Sequence, residues 1–131
     1  MKTILVVDDD ANVRRSVRYI LRGHGFRVVE APGGEAAMAL LRDTPVDLVI
    51  LDLVMPQMDG TEVCDRIKSD PAFCRIPVVI FTVVHGDVCR DWTRYVNANA
   101  FLVKPFEIKE LLATVTGLLA PCVGNGAPSP A

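Results

Sequence analysis

Short runs of consecutive apolar residues in this chain stop abruptly on a charged or hydroxyl side chain. Thr3–Val7 runs into Asp8-Asp9-Asp10, Leu48–Leu51 into Asp52, Pro77–Phe81 into Thr82, and Ala100–Val103 into Lys104-Pro105. A strand with one wet face alternates apolar and polar residues, so unbroken runs of this length predict strands covered on both faces. Such strands need a layer above and a layer below, and the segments between them supply both.

Val13, Val17, Ile20 and Leu21 fall at helical spacing, with Asp10 placed to cap the start and Gly23 and Gly25 to stop it. Phe26–Glu30 reads as the second strand. Ala36, Ala37, Leu40 and Leu41 mark a helix closed by Asp43-Thr44-Pro45, and the third strand is expected over Val46–Leu51. Val63, Cys64 and Ile67 give a helical stripe ending near Ser69-Asp70-Pro71. After the fourth strand, His85-Gly86-Asp87 turns into a helix carrying Val88, Trp92, Tyr95 and Val96; sequence leaves open whether its aromatics are core or partner anchors. Ile108, Leu111, Leu112, Val115, Leu118 and Leu119 form the apolar face of a last helix. Five strands alternating with five helices, joined by connections too long for hairpins, predict a doubly wound α/β fold: a five-stranded parallel sheet with helices on both faces.

At 131 residues the chain suits one hydrophobic core, expected over residues 1–120, with the Pro/Gly-rich stretch 121–131 read as a flexible tail or the start of a linker. Net charge is −2 from 14 basic and 16 acidic residues, which gives no overall attraction to nucleic acid. No apolar run approaches the roughly 20 residues that span a bilayer, so no membrane partner and a cytoplasmic location are expected. Cys64, Cys74, Cys89 and Cys122 lack metal-site spacing and read as reduced thiols. His24 and His85 read as solvated side chains.

In an open α/β sheet the ligand crevice lies beyond the carboxyl ends of the strands, where strand order reverses. Asp8, Asp9, Asp52, Thr82 and Lys104 all stand at such ends. Two carboxylates about 4 Å apart repel by roughly 4 kcal/mol at an effective dielectric near 20, so a cation is required to offset three of them. Mg²⁺ suits a site offering two or three carboxylates and room for waters. Lys104 supplies a second positive charge, Thr82 a hydroxyl donor, and an aspartate oxygen a nucleophile toward phosphorus, which points to phosphoryl transfer onto a carboxylate.

Val6-Val7-Asp8-Asp9, Leu48-Val49-Ile50-Leu51-Asp52 with Met55-Pro56-Gln57-Met58-Asp59-Gly60, Ile76–Thr82, and Phe101-Leu102-Val103-Lys104-Pro105-Phe106 together resemble the receiver domain of two-component response regulators, chemotaxis receivers included. The resemblance spans roughly residues 2–119 and implies strand order 2-1-3-4-5. It implies a regulatory phosphoacceptor rather than an enzyme, with Asp52 taking a phosphoryl group from a sensor histidine kinase or a phosphotransfer protein. It further implies Asp9 as a direct Mg²⁺ ligand, Asp8 acting mainly through water, and Asp52 and the carbonyl of Val54 completing the metal set. Thr82 and Lys104 match the residues that grip the phosphoryl oxygens. Phe101 matches an aromatic switch on a face built from the helix at 88–96, the fifth strand and the last helix, although strand packing explains it equally well. That face would engage a downstream protein or output domain, or a second copy. A cis Lys104–Pro105 bond is also implied.

Two other functions fit less of the pattern. A phosphorylation-independent interaction module would not need Asp52, Thr82 and Lys104 together, and an aspartyl-phosphate phosphatase would need a D-x-D where Asp52-Leu53-Val54 stands. Val54 and Val84 occupy positions that often carry water-orienting polar groups, so a long-lived aspartyl phosphate is expected. Val83 replaces a small residue and is expected to slow small donors such as acetyl phosphate. Asn97 stands where a glycine is common and tolerates the left-handed conformation.

Overall fold

In a computed structural model, which describes residues 2–52, 60–82, 98–103 and 107–119 (backbone only at 60, 61, 82 and 103), the apolar runs pair into one all-parallel sheet. Its strands are β1 (Thr3–Val7), β2 (Arg27–Ala31), β3 (Leu48–Asp52), β4 (Val78–Thr82) and β5 (Ala100–Val103), in the order β2-β1-β3-β4-β5. From β1 the chain moves outward to β2, then returns to the other side of β1 as β3. The carboxyl ends of β1 and β3 therefore lie side by side at the reversal point, with Val7 in register with Leu51.

Side chains alternate across the sheet, so each strand feeds two cores. Leu5, Val7, Val49, Leu51, Val78 and Ile80 face one side, where they meet helices α2 (Gly34–Asp43) and α3 (Gly60–Ser69) through Ala37, Met38, Leu41, Val63, Cys64 and Ile67. Ile4, Val6, Leu48, Ile50, Val79 and Phe81 face the other, against Val17 and Leu21 of α1 (Ala11–Arg22) and Leu111 and Val115 of α4 (Ile108–Leu119). β1 and β3 are buried along their whole length, as their unbroken apolar composition requires.

Local chemistry sets the element ends. Asp10 caps α1 by accepting the Asn12 N–H at 2.9 Å. At the other end Gly25 takes φ 89°, the Phe26 N–H reaches back to the Leu21 carbonyl at 3.1 Å, and the Gly25 N–H to that of Arg22. This is a Schellman closure, with Phe26 packing into the core that holds Leu21. An L side chain at position 25 would sit in the strained left-handed region. The same bond explains why β2 begins at Arg27 and not Phe26: the Phe26 N–H is already used. β3 begins two residues later than expected because Pro45 has no N–H and the Asp47 carboxylate takes the Thr3 N–H at 2.8 Å. β4 likewise begins at Val78, after Pro77, and reaches Thr82. Ile108, expected on the buried stripe of the last helix, is instead 54% exposed at its first position. The helix expected over 88–96 and the stretch 121–131 lie outside the described residues. No described helix is long and apolar enough to cross a membrane.

At the opposite rim of the sheet, Lys68 fastens three segments. Its ammonium donates to the Ile76 carbonyl and to Asn99 Oδ1, both at 2.8 Å, and Asn99 Oδ1 also accepts the Val78 N–H at 2.9 Å. The end of α3 is thereby tied to the starts of β4 and β5. Burial holds the Lys68 ammonium below its usual range and pushes the Cys64 thiol up to about 11 from 9.0. A thiol raised in the fold ionises first in the unfolded chain, so stability falls as pH climbs from 9 to about 11. Urea titrations across that window are expected to show a loss of at most roughly 2–3 kcal/mol that Cys64→Ala lacks; equal pH profiles for the two proteins would contradict it.

Candidate functional site

The polar residues that end the apolar runs do converge. Asp8 follows β1 directly; its N–H continues the ladder to the Ala31 carbonyl of β2 at 3.2 Å, and its carboxylate accepts the Asp10 N–H at 2.9 Å. These bonds turn the chain sharply from β1 into α1 and hold the Asp8 side chain inside, 1% exposed. Asp9, the next residue, is exposed. Asp52 is the last residue of β3, in register with Phe81, and is buried. One carboxylate oxygen from each of Asp8, Asp9 and Asp52 lies within 4.8 Å of the other two. Among the described residues no other set of His, Cys, Asp and Glu side chains meets in this way.

At that separation two full charges repel by roughly 3 kcal/mol at an effective dielectric near 20. The backbone beside the cluster is held by a residue that sequence reasoning missed. The Arg14 guanidinium, one turn into α1, donates to the Asp8 backbone carbonyl, and its Nε pairs with Glu30 at 3.3 Å. Glu30 also takes Arg18 at 2.6 Å, so β2 and α1 are clamped beside the acidic pair. No local spacing announced this role, since Glu30 lies 16 positions along the chain and its meeting with Arg14 needed the fold.

The remaining expected residues divide into two groups. Thr82 ends β4 one position beyond the partner of Asp52, which puts its backbone on the same rim. Phe101 lies in β5 in register with Ile80 and is half-buried against the core beneath α2 and α3. Val54, Val83, Val84, Asn97, Lys104 and Pro105 lie outside the described residues. His24 is exposed, with Nδ1 2.9 Å from the Ile20 carbonyl, and Cys64 and Cys74 are free thiols, as expected.

The donor set suits a hard divalent cation. Oxygen ligands about 2.1 Å from an octahedral ion stand roughly 3–4 Å from one another, a spacing that small side-chain rotations bring within reach here. Three carboxylates and no nitrogen or sulfur favour Mg²⁺ over zinc or copper.

Comparison with known proteins places these features in a family. The model for the response regulator receiver domain matches residues 4–116. The chain is 37% identical over 117 residues to the probable transcriptional regulator ycf27 of Porphyra purpurea, covering 88% of this chain and 46% of that protein. It thus spans about half the length of the first curated relatives it matches. A putative response regulator from Chloroflexus aurantiacus superposes with a TM-score of 0.86 at 32% identity, over 92% of this chain and 98% of the other. The response regulator TrrA from Thermotoga maritima, solved in complex with Mg²⁺-BeF, superposes with a TM-score of 0.79 at 31% identity, over 90% of this chain and 99% of the other. The acidic rim at the β1–β3 reversal is thus set in the fold and the sequence pattern of one regulatory family, and this chain belongs to the response regulator receiver domains.

Proposed function

We propose that the chain accepts a phosphoryl group on Asp52 in a Mg²⁺-dependent step and relays the change to a protein target. The convergence of Asp8, Asp9 and Asp52 within 4.8 Å carries this reading. An Asp52 carboxylate oxygen attacks phosphorus, the bond to the imidazole nitrogen of a kinase or phosphotransfer phosphohistidine breaks, and the imidazole keeps the electron pair and takes a proton. Mg²⁺, when bound, neutralises the phosphoryl oxygens. Asp9 would hold the ion directly and Asp8 through water, with Asp52 and the Val54 carbonyl completing the protein ligands. Thr82 donates to a phosphoryl oxygen, Lys104 pairs with another, and their inward movement is coupled to the Phe101 side chain. The chain acts as a switch rather than as a catalyst of a separate substrate. Its changed face, which includes β5 and α4, binds a target protein or a second copy. Residues 121–131 serve as a tail or linker, and the reading is of a cytoplasmic regulator.

Support comes also from the Thermotoga relative, whose complex holds Mg²⁺ together with BeF. Adding Mg²⁺ and beryllofluoride is expected to shift the NMR signals of Thr82, Phe101 and Lys104; signals unchanged at saturating concentrations would overturn the proposal. A stability test follows from the clustered charges. Without divalent ions Asp9→Asn is expected to melt roughly 3–5 °C higher, a gain of about 1 kcal/mol for an exposed member of the cluster. With Mg²⁺ the wild type rises and the variant does not, and equal Mg²⁺ responses would refute the ligand assignment. Because Val54 and Val84 carry no polar group to orient water, Val84→Glu is expected to shorten the phosphoryl lifetime about tenfold or more, measured as phosphate release.

A further inference from the structure

The net charge of −2 hides a strong local segregation. Between residues 11 and 29 the chain carries Arg14, Arg15, Arg18, Arg22 and Arg27 and not one Asp or Glu. Glu30 answers Arg14 and Arg18, whereas Arg15, Arg22 and Arg27 form no ion pair among the described residues and are exposed. Between them stands Tyr19, 82% exposed, although helical spacing alone would allow it a half-buried position. Two adjoining depressions sharing Arg22 follow this face. One, of about 610 Å³, is lined by Arg15, Arg18 and Tyr19, and the other, of about 510 Å³, by Phe26 and Arg27. Arg27 opens β2, an edge strand of the sheet, so the basic face runs from the outside of α1 onto the sheet margin.

We propose that this face docks an acidic segment of a partner polypeptide. Two uncompensated guanidinium groups beside an exposed tyrosine, with a third in the neighbouring depression, have the composition of a protein-binding hot spot, since Arg and Tyr give the largest contact energies at such interfaces. The guanidinium forks match carboxylates in pairs, and the two depressions accept the side chains that flank them. Nucleic acid fits less well, because DNA-binding proteins commonly neutralise about 6–10 phosphates and this face offers three free cations. The proposal is independent of phosphorylation and needs neither Asp52 nor Mg²⁺.

A fluorescein-labelled Glu-rich peptide with interspersed leucines, titrated with the full chain at low ionic strength, tests it. Expected is saturable binding that weakens with added salt and at least about tenfold in Arg15→Ala/Arg22→Ala, with Tyr19→Ala also weaker. Arg66→Ala/Arg75→Ala, which removes two exposed cations elsewhere, is expected to bind as wild type. Equal affinity in wild type and Arg15→Ala/Arg22→Ala, or equal losses in both double variants, would overturn the proposal. So would tight binding of an oligothymidylate or of anionic phosphatidylserine vesicles with no binding of the peptide.

Discussion

Asp52→Asn is expected to incorporate no phosphoryl group from phosphoramidate and Mg²⁺ under conditions in which the wild type gains one. The amide is close to the carboxylate in size, so the packing at the end of β3 is kept while the nucleophilic oxygen is lost. Because the side chain keeps its size, the variant should still fold and melt cooperatively without divalent ions. That pairing of outcomes separates chemistry from folding. Intact-protein mass spectra give the first and thermal melts the second. Labelling of the variant at wild-type levels would remove Asp52 from the proposed role.

Phe81→Ala is expected to cost about 3–5 kcal/mol, the range for emptying a fully buried aromatic site. Phe81 is 1% exposed in the interior strand β4, packed in the core shared with α1 and α4 and in register with Asp52. Domains of this kind hold only about 5–15 kcal/mol in total, so a loss of this size lowers the urea midpoint sharply and in some conditions unfolds the chain. Tyr19→Ala, on the exposed face of α1, is the matching control, expected to change stability by no more than about 0.5 kcal/mol. Comparable losses for the two would contradict the assignment of the two cores.

The order of elements was legible because burial on both faces leaves an unmistakable trace: Ile4 to Val7 and Leu48 to Leu51 contain no polar residue, and every one of them is buried. Both ends of α1 were legible for a similar reason, since Asp10 and Gly25 act through bonds to their near neighbours. Boundaries shifted where a long-range bond claimed a backbone group. Asp47 takes the Thr3 N–H across 44 positions, and nothing near Val46 announces it. The Lys68–Asn99 tie spans 31 positions and is equally silent in the sequence.

For the site, the acids were conspicuous because each interrupts an apolar run. Their meeting followed from the topology, while the role of Arg14 and the saturation of Glu30 by two arginines required coordinates. The charge segregation along α1 was in the sequence throughout, but a whole-chain balance of 14 against 16 cancels it. Exposure of Tyr19 turned it into a surface.

In the proposed site three strand-end carboxylates hold one divalent ion and direct a phosphoryl group to Asp52. Peptide mapping of the wild-type chain after incubation with phosphoramidate, with the acyl phosphate trapped by borohydride reduction, tests this most directly. A single modified residue is expected, Asp52, labelled with Mg²⁺ and unlabelled in the presence of a chelator. Labelling at another residue, or labelling of Asp52 to the same extent with the ion removed, would contradict it.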